Sequence, residues 1–143
     1  MKRVLYDTTV LLDVTLKREP YLAASAAALD MVGQGRVEGY IAGHAITTLF
    51  YMLQRQIGAA KSRQVLIDLL AKMRVAPVTD AGVRQALSGA FKDFEDGVTH
   101  AAAQAAKVAV IVTRNVSDFT KGTIPAVLPE VFALKEREGE EDA

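Results

Sequence analysis

"VAVIV", residues 108–112, is a run of apolar and mostly β-branched side chains with no polar residue at either alternation. Successive side chains of a strand point to opposite faces, so a strand apolar on both faces must be covered on both. That predicts an interior strand of a parallel sheet packed between helices. The flanking residues agree. "DFEDGVTHAAAQAAK", 93–107, reads as the helix entering this strand, and "TRNVSDF", 113–119, as the loop leaving it.

Further out the same alternation recurs. "RVLY", 3–6, is a short apolar strand stopped by "DTT", and "VLLDVTLKREP", 10–20, starts a helix that Pro20 is expected to end. "YLAASAAALDMVGQG", 21–35, is a helix with a glycine C-cap, and "VEGYIAG", 37–43, a second strand. Two helices follow, "HAITTLFYMLQRQIG", closed by Gly58, and "AAKSRQVLIDLLAKM", with Val65, Leu66, Leu69 and Leu70 on one face. "RVAPV", 74–78, is interrupted by Pro77 and so is a short or edge strand. "TDAGVRQALSGAF" is a helix capped by Thr79 or Asp80, "IPAVLP" a last short strand, and "PEVFAL" a closing turn of helix. Strands alternating with helices predict a parallel α/β sheet with helices on both faces.

The chain has 143 residues and is 50% hydrophobic, enough for one domain with an ordinary core. Mean hydropathy is +0.16, yet no uninterrupted apolar run approaches the roughly 20 residues of a membrane span. "MKRVLYD" reaches an acid at once and is no secretory segment, so the mature chain is expected to begin at Met1, in the cytoplasm. The absence of cysteine excludes disulfides, thiolate metal sites and a cysteine nucleophile, and two histidines argue against structural zinc. The net charge of zero hides an asymmetry: "KEREGEEDA", 135–143, reads as an acidic mobile tail, and the domain over 1–134 carries +3. Arg55, Lys61, Arg63, Lys72, Arg74 and Arg84 form a basic segment, more often a solvated helix face than a phosphate-facing surface.

In open parallel sheets ligands bind beyond the carboxyl ends of the strands, where the strand order reverses. Asp7 ends the first strand, Asp118 lies just past "VAVIV", and Asp93, Glu95 and Asp96 open the helix that enters it. A helix entering a parallel strand runs antiparallel to it, so these acids are expected along one edge of the sheet. Each has a plain structural reading too: Asp7 as a helix cap, Asp93 to Asp96 as partners of the helix dipole, Asp118 as a turn residue. Together, carboxylates raise one another's pKa unless a cation neutralises them. Without cysteine, such a cluster favours a hard ion such as Mg²⁺ or Mn²⁺. Gly97 and the alanines of 101–106 would let the helix lie close to the sheet, or simply favour helix formation. His100 and His44 are most simply helix-face histidines, and Phe50 and Tyr51 are expected in the core.

The blocks "VLYDTTVLLDVTLKREP", "DFEDGVTHAAAQAAKVAVIVTRN" and "VSDF" resemble the signature blocks of PIN-domain ribonucleases, many of them toxins of VapBC-type toxin–antitoxin pairs. The similarity runs from Val4 to about Leu134. It implies a five-stranded parallel sheet between helices, one or two Mg²⁺ or Mn²⁺ ions held by acids, and cleavage of RNA. Asp7, Asp96 and Asp118 fall on the family's acidic positions, and Asn115 where a polar residue often supports the last acid. Two positions depart from the pattern. Thr9 stands where Asn or Ser is usual, and Thr48 where the family usually carries glutamate, which leaves the site one charge poorer. Asp93, one turn from Asp96, offers partial compensation. The resemblance implies an RNA substrate and a small antitoxin as partners. The apolar faces of residues 46–57 and 63–73 form a helical pair that suits packing within the chain or, across a two-fold axis, a homodimer. The competing expectation is a degenerate PIN domain that binds RNA or protein without cutting.

Overall fold

The 108–112 run pairs as β4 over Val110–Val112, the second strand of a five-stranded sheet from one edge. The computed structural model describes residues 1–142, with side-chain burial through Gly139. β1 (Arg3–Tyr6), β2 (Glu38–Ala42), β3 (Arg74–Ala76) and β5 (Ala126–Val127) complete the sheet, in the order β3-β2-β1-β4-β5. Every pairing is parallel, and Leu5 of β1 lies between Tyr40 of β2 and Ile111 of β4. β3 is an edge strand, as Pro77 requires.

The helices are α1 (Thr8–Thr15), α2 (Leu22–Gly33), α3 (Gly43–Ile57), α4 (Ala59–Leu70), α5 (Asp80–Ser88), α6 (Phe94–Ala105) and α7 (Pro129–Asp142), with a 3₁₀ turn at Val116–Phe119. The β1-to-β2 and β3-to-β4 connections cross the sheet in opposite directions. Right-handed crossovers therefore place them on opposite faces, which makes three layers. Val4, Leu5, Tyr6, Ile41, Ile111 and Val112 are fully enclosed, each such side chain contributing about 1.5–3 kcal/mol by burial. The Tyr6 hydroxyl donates to the Ala28 carbonyl of α2 at 2.7 Å, and its ring meets Phe132 of α7 edge-on at 6.3 Å. Among the described residues, no helix is long and apolar enough to cross a membrane.

Several expectations need correction. α1 stops at Thr15, five residues before Pro20. The Lys17 N–H bonds back to Val14 and the Arg18 N–H to Asp13, with Lys17 in the left-handed region at φ 51°, the hydrogen-bond pattern of a Schellman turn. Gly97 allows close approach to α5 rather than to the sheet, since a Cβ there would lie 3.3 Å from the Ala86 Cβ. Tyr51 is 57% exposed, beneath the Arg55 guanidinium at 5.8 Å. The acidic stretch continues α7 as far as Asp142, favoured by Pro129 and Glu130 in its first turn. Lys2 pairs with Glu136 at 2.8 Å. Ala143 lies outside the described residues. The basic segment lies on the surface as read, its side chains making exposed contacts: Arg74 pairs with Glu38, Arg84 with Asp80 one turn away, and Arg63 covers Phe50.

Candidate active site

The strand order reverses at β1, because one crossover leads from it toward β2 and a later one returns past it to β4. The crevice beyond the carboxyl ends of β1 and β4 is therefore the place for a ligand. Asp7 stands there. Its N–H donates to the Val112 carbonyl at 3.0 Å, continuing the sheet by one bond. Its side chain caps α1, with Oδ1 accepting the Thr8 N–H at 2.9 Å. Oδ2 accepts the Thr113 hydroxyl at 2.8 Å and the Thr9 hydroxyl at 3.5 Å. Burial pushes the Asp7 carboxyl up, and these donors pull against it; Asp118 adds its repulsion.

Asp93 caps α6, accepting the Asp96 N–H at 3.0 Å. Asp96 sits in the first turn, half-buried. Burial, then repulsion from Asp93, Asp7, Asp118 and Glu95, pushes its carboxyl up to about 7. Asp118 lies exposed on the 3₁₀ turn, its N–H held by the Asn115 carbonyl at 3.0 Å. Asp93, Asp96 and Asp118 line a cleft of about 520 Å³ together with Lys92, Ser117 and Lys121. Asn115 thus supports Asp118 through its backbone; its exposed side chain caps nothing. Thr48 is half-buried on the second turn of α3.

Among the described residues, no three acids or histidines form a ready-made cation cage. The acids act on one another through their charges, each raising the cost of ionising Asp96 at this edge of the sheet. Their donor atoms are all carboxylate or hydroxyl oxygens. Mg²⁺ commonly takes only one or two carboxylates and keeps its waters, so the donor set fits such an ion. His100 is not a surface residue: it is 5% exposed, its Nε2 accepts the Ile124 N–H at 3.2 Å, and burial lowers its pKa. His44 Nε2 bonds the Thr99 hydroxyl at 3.2 Å.

Two features escaped the sequence reading. Thr113, fully buried, donates to Asp7 and accepts the Asn115 N–H at 3.0 Å. Asp13, also fully buried, receives Arg18, Arg114 and Ser25. The available signal was an acid between "VLL" and "VTL" on an apolar helix, since buried charges need partners.

An open parallel sheet with acids gathered at its switch point defines an α/β domain whose candidate ligand site lies beyond the ends of β1 and β4. The chain belongs to the PIN-domain family, whose model matches residues 3–117. Similar solved structures include VapBC2 from Rickettsia felis bound to a DNA fragment from its promoter, at TM-score 0.67 and 13% identity, covering 88% of this chain and 98% of that one. VapBC-1 from nontypeable Haemophilus influenzae aligns at TM-score 0.65 and 14% identity, covering 89% and 98%. VapC20 of Mycobacterium tuberculosis, described as a sarcin–ricin loop cleaving toxin, aligns at 0.59 and 14%, covering 76% and 86%. No curated protein matches the sequence.

Proposed function

We propose that this PIN domain is a metal-dependent endoribonuclease, the toxin of a toxin–antitoxin pair acting on RNA in the cytoplasm. The observation that carries this is Asp96, pushed up to about 7 by burial and by Asp93, Asp7, Asp118 and Glu95. Carboxyl groups raised by burial and like charge in a cleft cluster at functional sites, and here they stand at the carboxyl ends of β1 and β4, where open parallel sheets bind ligands. Asp7, Asp96 and Asp118, with Asp93, would hold Mg²⁺ or Mn²⁺. When bound, the ion supplies electrophilic assistance at the scissile phosphate and acidifies water. The Asp96 or Asp118 carboxylate orients the attacking water by accepting its hydrogen bond. Thr113 and Thr9 fix the rotamer of Asp7 through Oδ2, and the Asn115 carbonyl fixes the backbone of Asp118. Lys92 and Lys121, on the wall of the same cleft, draw the phosphate backbone toward acids that would otherwise repel it.

The solved VapBC complexes support an antitoxin as protein partner. Exposed Tyr51 and Met52 on α3, with Ile67 and Leu70 on α4, offer apolar area for a homodimer. With Mn²⁺ the purified chain is expected to cut single-stranded RNA, and Asp96→Asn to abolish cutting. Cutting that survives both EDTA and this substitution sinks the reading. A non-cleaving, RNA- or protein-binding PIN domain is favoured by one observation, Thr48 at the place of the usual glutamate. Under that reading Thr48→Glu creates activity; under the first it raises an activity already measurable.

A further inference from the structure

Asp13 is 0% exposed, yet it does not sit in a balanced pair. Arg114 grips it from one edge, Nε to Oδ2 at 2.8 Å and Nη2 to Oδ1 at 3.2 Å. Arg18 reaches the same carboxylate, Nε to Oδ1 at 3.2 Å, and Ser25 donates to Oδ2 at 2.9 Å. One buried anion thus faces two guanidiniums, and the surplus positive charge opens to solvent: the side chains of Arg18 and Arg114 are 35% and 25% exposed. The second guanidinium helps satisfy the lone pairs of the buried carboxylate, but one anion neutralises only one of the two cations, so the group carries a net positive charge toward solvent. The Arg114 guanidinium also lies over the Tyr21 ring, 3.8 Å from its centroid, which fixes its plane. Its Nη1 is left uncommitted among the described residues.

The position of this pair is informative. Arg114 directly follows Thr113, the hydroxyl donor to Asp7. Arg18 Nη2 donates to the Thr9 carbonyl at 3.3 Å, and the Thr9 hydroxyl reaches Asp7. The chain holds Lys17 in a left-handed conformation, where glycine is the usual occupant, in the turn that returns Arg18 to Asp13. An acidic centre repels a polyanion, so a substrate strand needs fixed cations beside it. Guanidiniums whose planes are already set match phosphate oxygens with little further loss of freedom.

We propose that Arg114 and Arg18, positioned by Asp13 and Tyr21, form an anion cradle that binds an RNA backbone phosphate flanking the one at the acidic centre. The cradle takes its substrate class from the ribonuclease reading, but its test needs no cleavage. The full chain in EDTA is titrated with a fluorescent single-stranded oligouridylate across a salt series. Arg114→Gln is expected to weaken binding about 5–10-fold and to flatten the slope of log K against log salt by about 0.7, the share of one phosphate contact. Lys2→Gln, on the opposite edge of the sheet, leaves both unchanged. Asp13→Asn separates a built cradle from a diffuse basic patch. It adds positive charge, so a patch would bind more tightly, whereas a cradle that loses its anchor binds more weakly. Should that variant unfold, the Arg114 Nε–H resonance of the unmutated protein shifts on adding the oligomer. No RNA binding, Arg114→Gln with unchanged affinity and slope, or an unmoved resonance overturns the cradle. A chain that binds through Arg114 but never cuts sinks the nuclease reading alone; a chain that cuts RNA with binding indifferent to Arg114→Gln does the reverse.

Discussion

Asp96 carries its elevated pKa into the thermodynamics of the empty protein. Its carboxyl titrates at about 7 in the fold against about 3.9 in an unfolded chain. Between those values the native state holds a proton that the unfolded state has lost, so stability falls as pH rises through the window, and the whole penalty is present above it. Asp96→Asn removes the penalty. In metal-free buffer at alkaline pH the variant is expected to be more stable by about 1–2 kcal/mol, allowing for solvent screening, while at acid pH the two unfold together. Chemical denaturation at both pH values checks this. Thr113 is the complementary case. Thr113→Val strips Asp7 Oδ2 of its shortest donor and the Asn115 N–H of its acceptor, which costs about 1–3 kcal/mol. Thr113→Ser keeps most of that stability and of the cleavage rate. The Asp7 cap was legible in sequence because it follows a strand and precedes "TT"; Asp93 was read only as an acid at a helix start, and the structure makes it the cap of α6. Thr113 was not legible, because its partner stands 106 residues away and a hydroxyl after a strand carries no local signal.

At the scale of elements, the strands were read well where two-sided burial or a breaker marked them: "VAVIV" as an interior strand, "RVAPV" as an edge. Helix ends were read well where glycine marked them, as at Gly35 and Gly58, both at positive φ. The end of α1 was missed, because lysine does the work of glycine there: the chain past its C-cap turns at Lys17, φ 51°, and nothing in "TLKREP" announces a left-handed residue. Lys107, φ 58°, plays the same part past the C-cap of α6, where the helix was read to end. Lys107 is exposed, and its N–H and that of Val108 bond back to Gln104 and Ala103. Lys107→Gly is therefore expected to stabilise the fold by about 0.5–1 kcal/mol, read as a raised thermal midpoint with unchanged cleavage. Gly122 tests the opposite sense. A Cβ there would run into the His100 ring, so Gly122→Ala displaces the acceptor of the Ile124 N–H and costs about 1–3 kcal/mol.

Over the whole molecule, formal charge sums to zero while its distribution is strongly uneven. Asp7, Asp93, Glu95, Asp96 and Asp118 load one edge of the sheet, Lys92 and Lys121 line the same cleft, and Arg18 and Arg114 gather around Asp13. The order of strands and helices made the acidic half of this legible, since Asp7 follows a strand, Asp118 lies in the loop after one, and Asp93 to Asp96 open the helix that returns to the same end of the sheet. The arginines at 18 and 114 were not legible, because what brings them together is a buried acid on another element. The run of cations over 55–84 shows as the solvated face it was read as, Arg74 and Arg84 being mostly exposed. A fold strained by like charge should be stabilised by whatever cation relieves it. Mn²⁺ is therefore expected to raise the unfolding free energy by RT ln(1 + [L]/Kd), about 2.7 kcal/mol at a hundredfold excess over Kd. Asp96→Asn should lose most of that response while starting from a higher metal-free stability. Thr48→Glu should move both quantities the other way: less stable in EDTA, because one more carboxylate joins the edge, and more responsive to Mn²⁺. Calorimetry on the three proteins with and without the ion decides it, and a Thr48→Glu variant that starts lower yet gains no more from Mn²⁺ would place the ion away from α3.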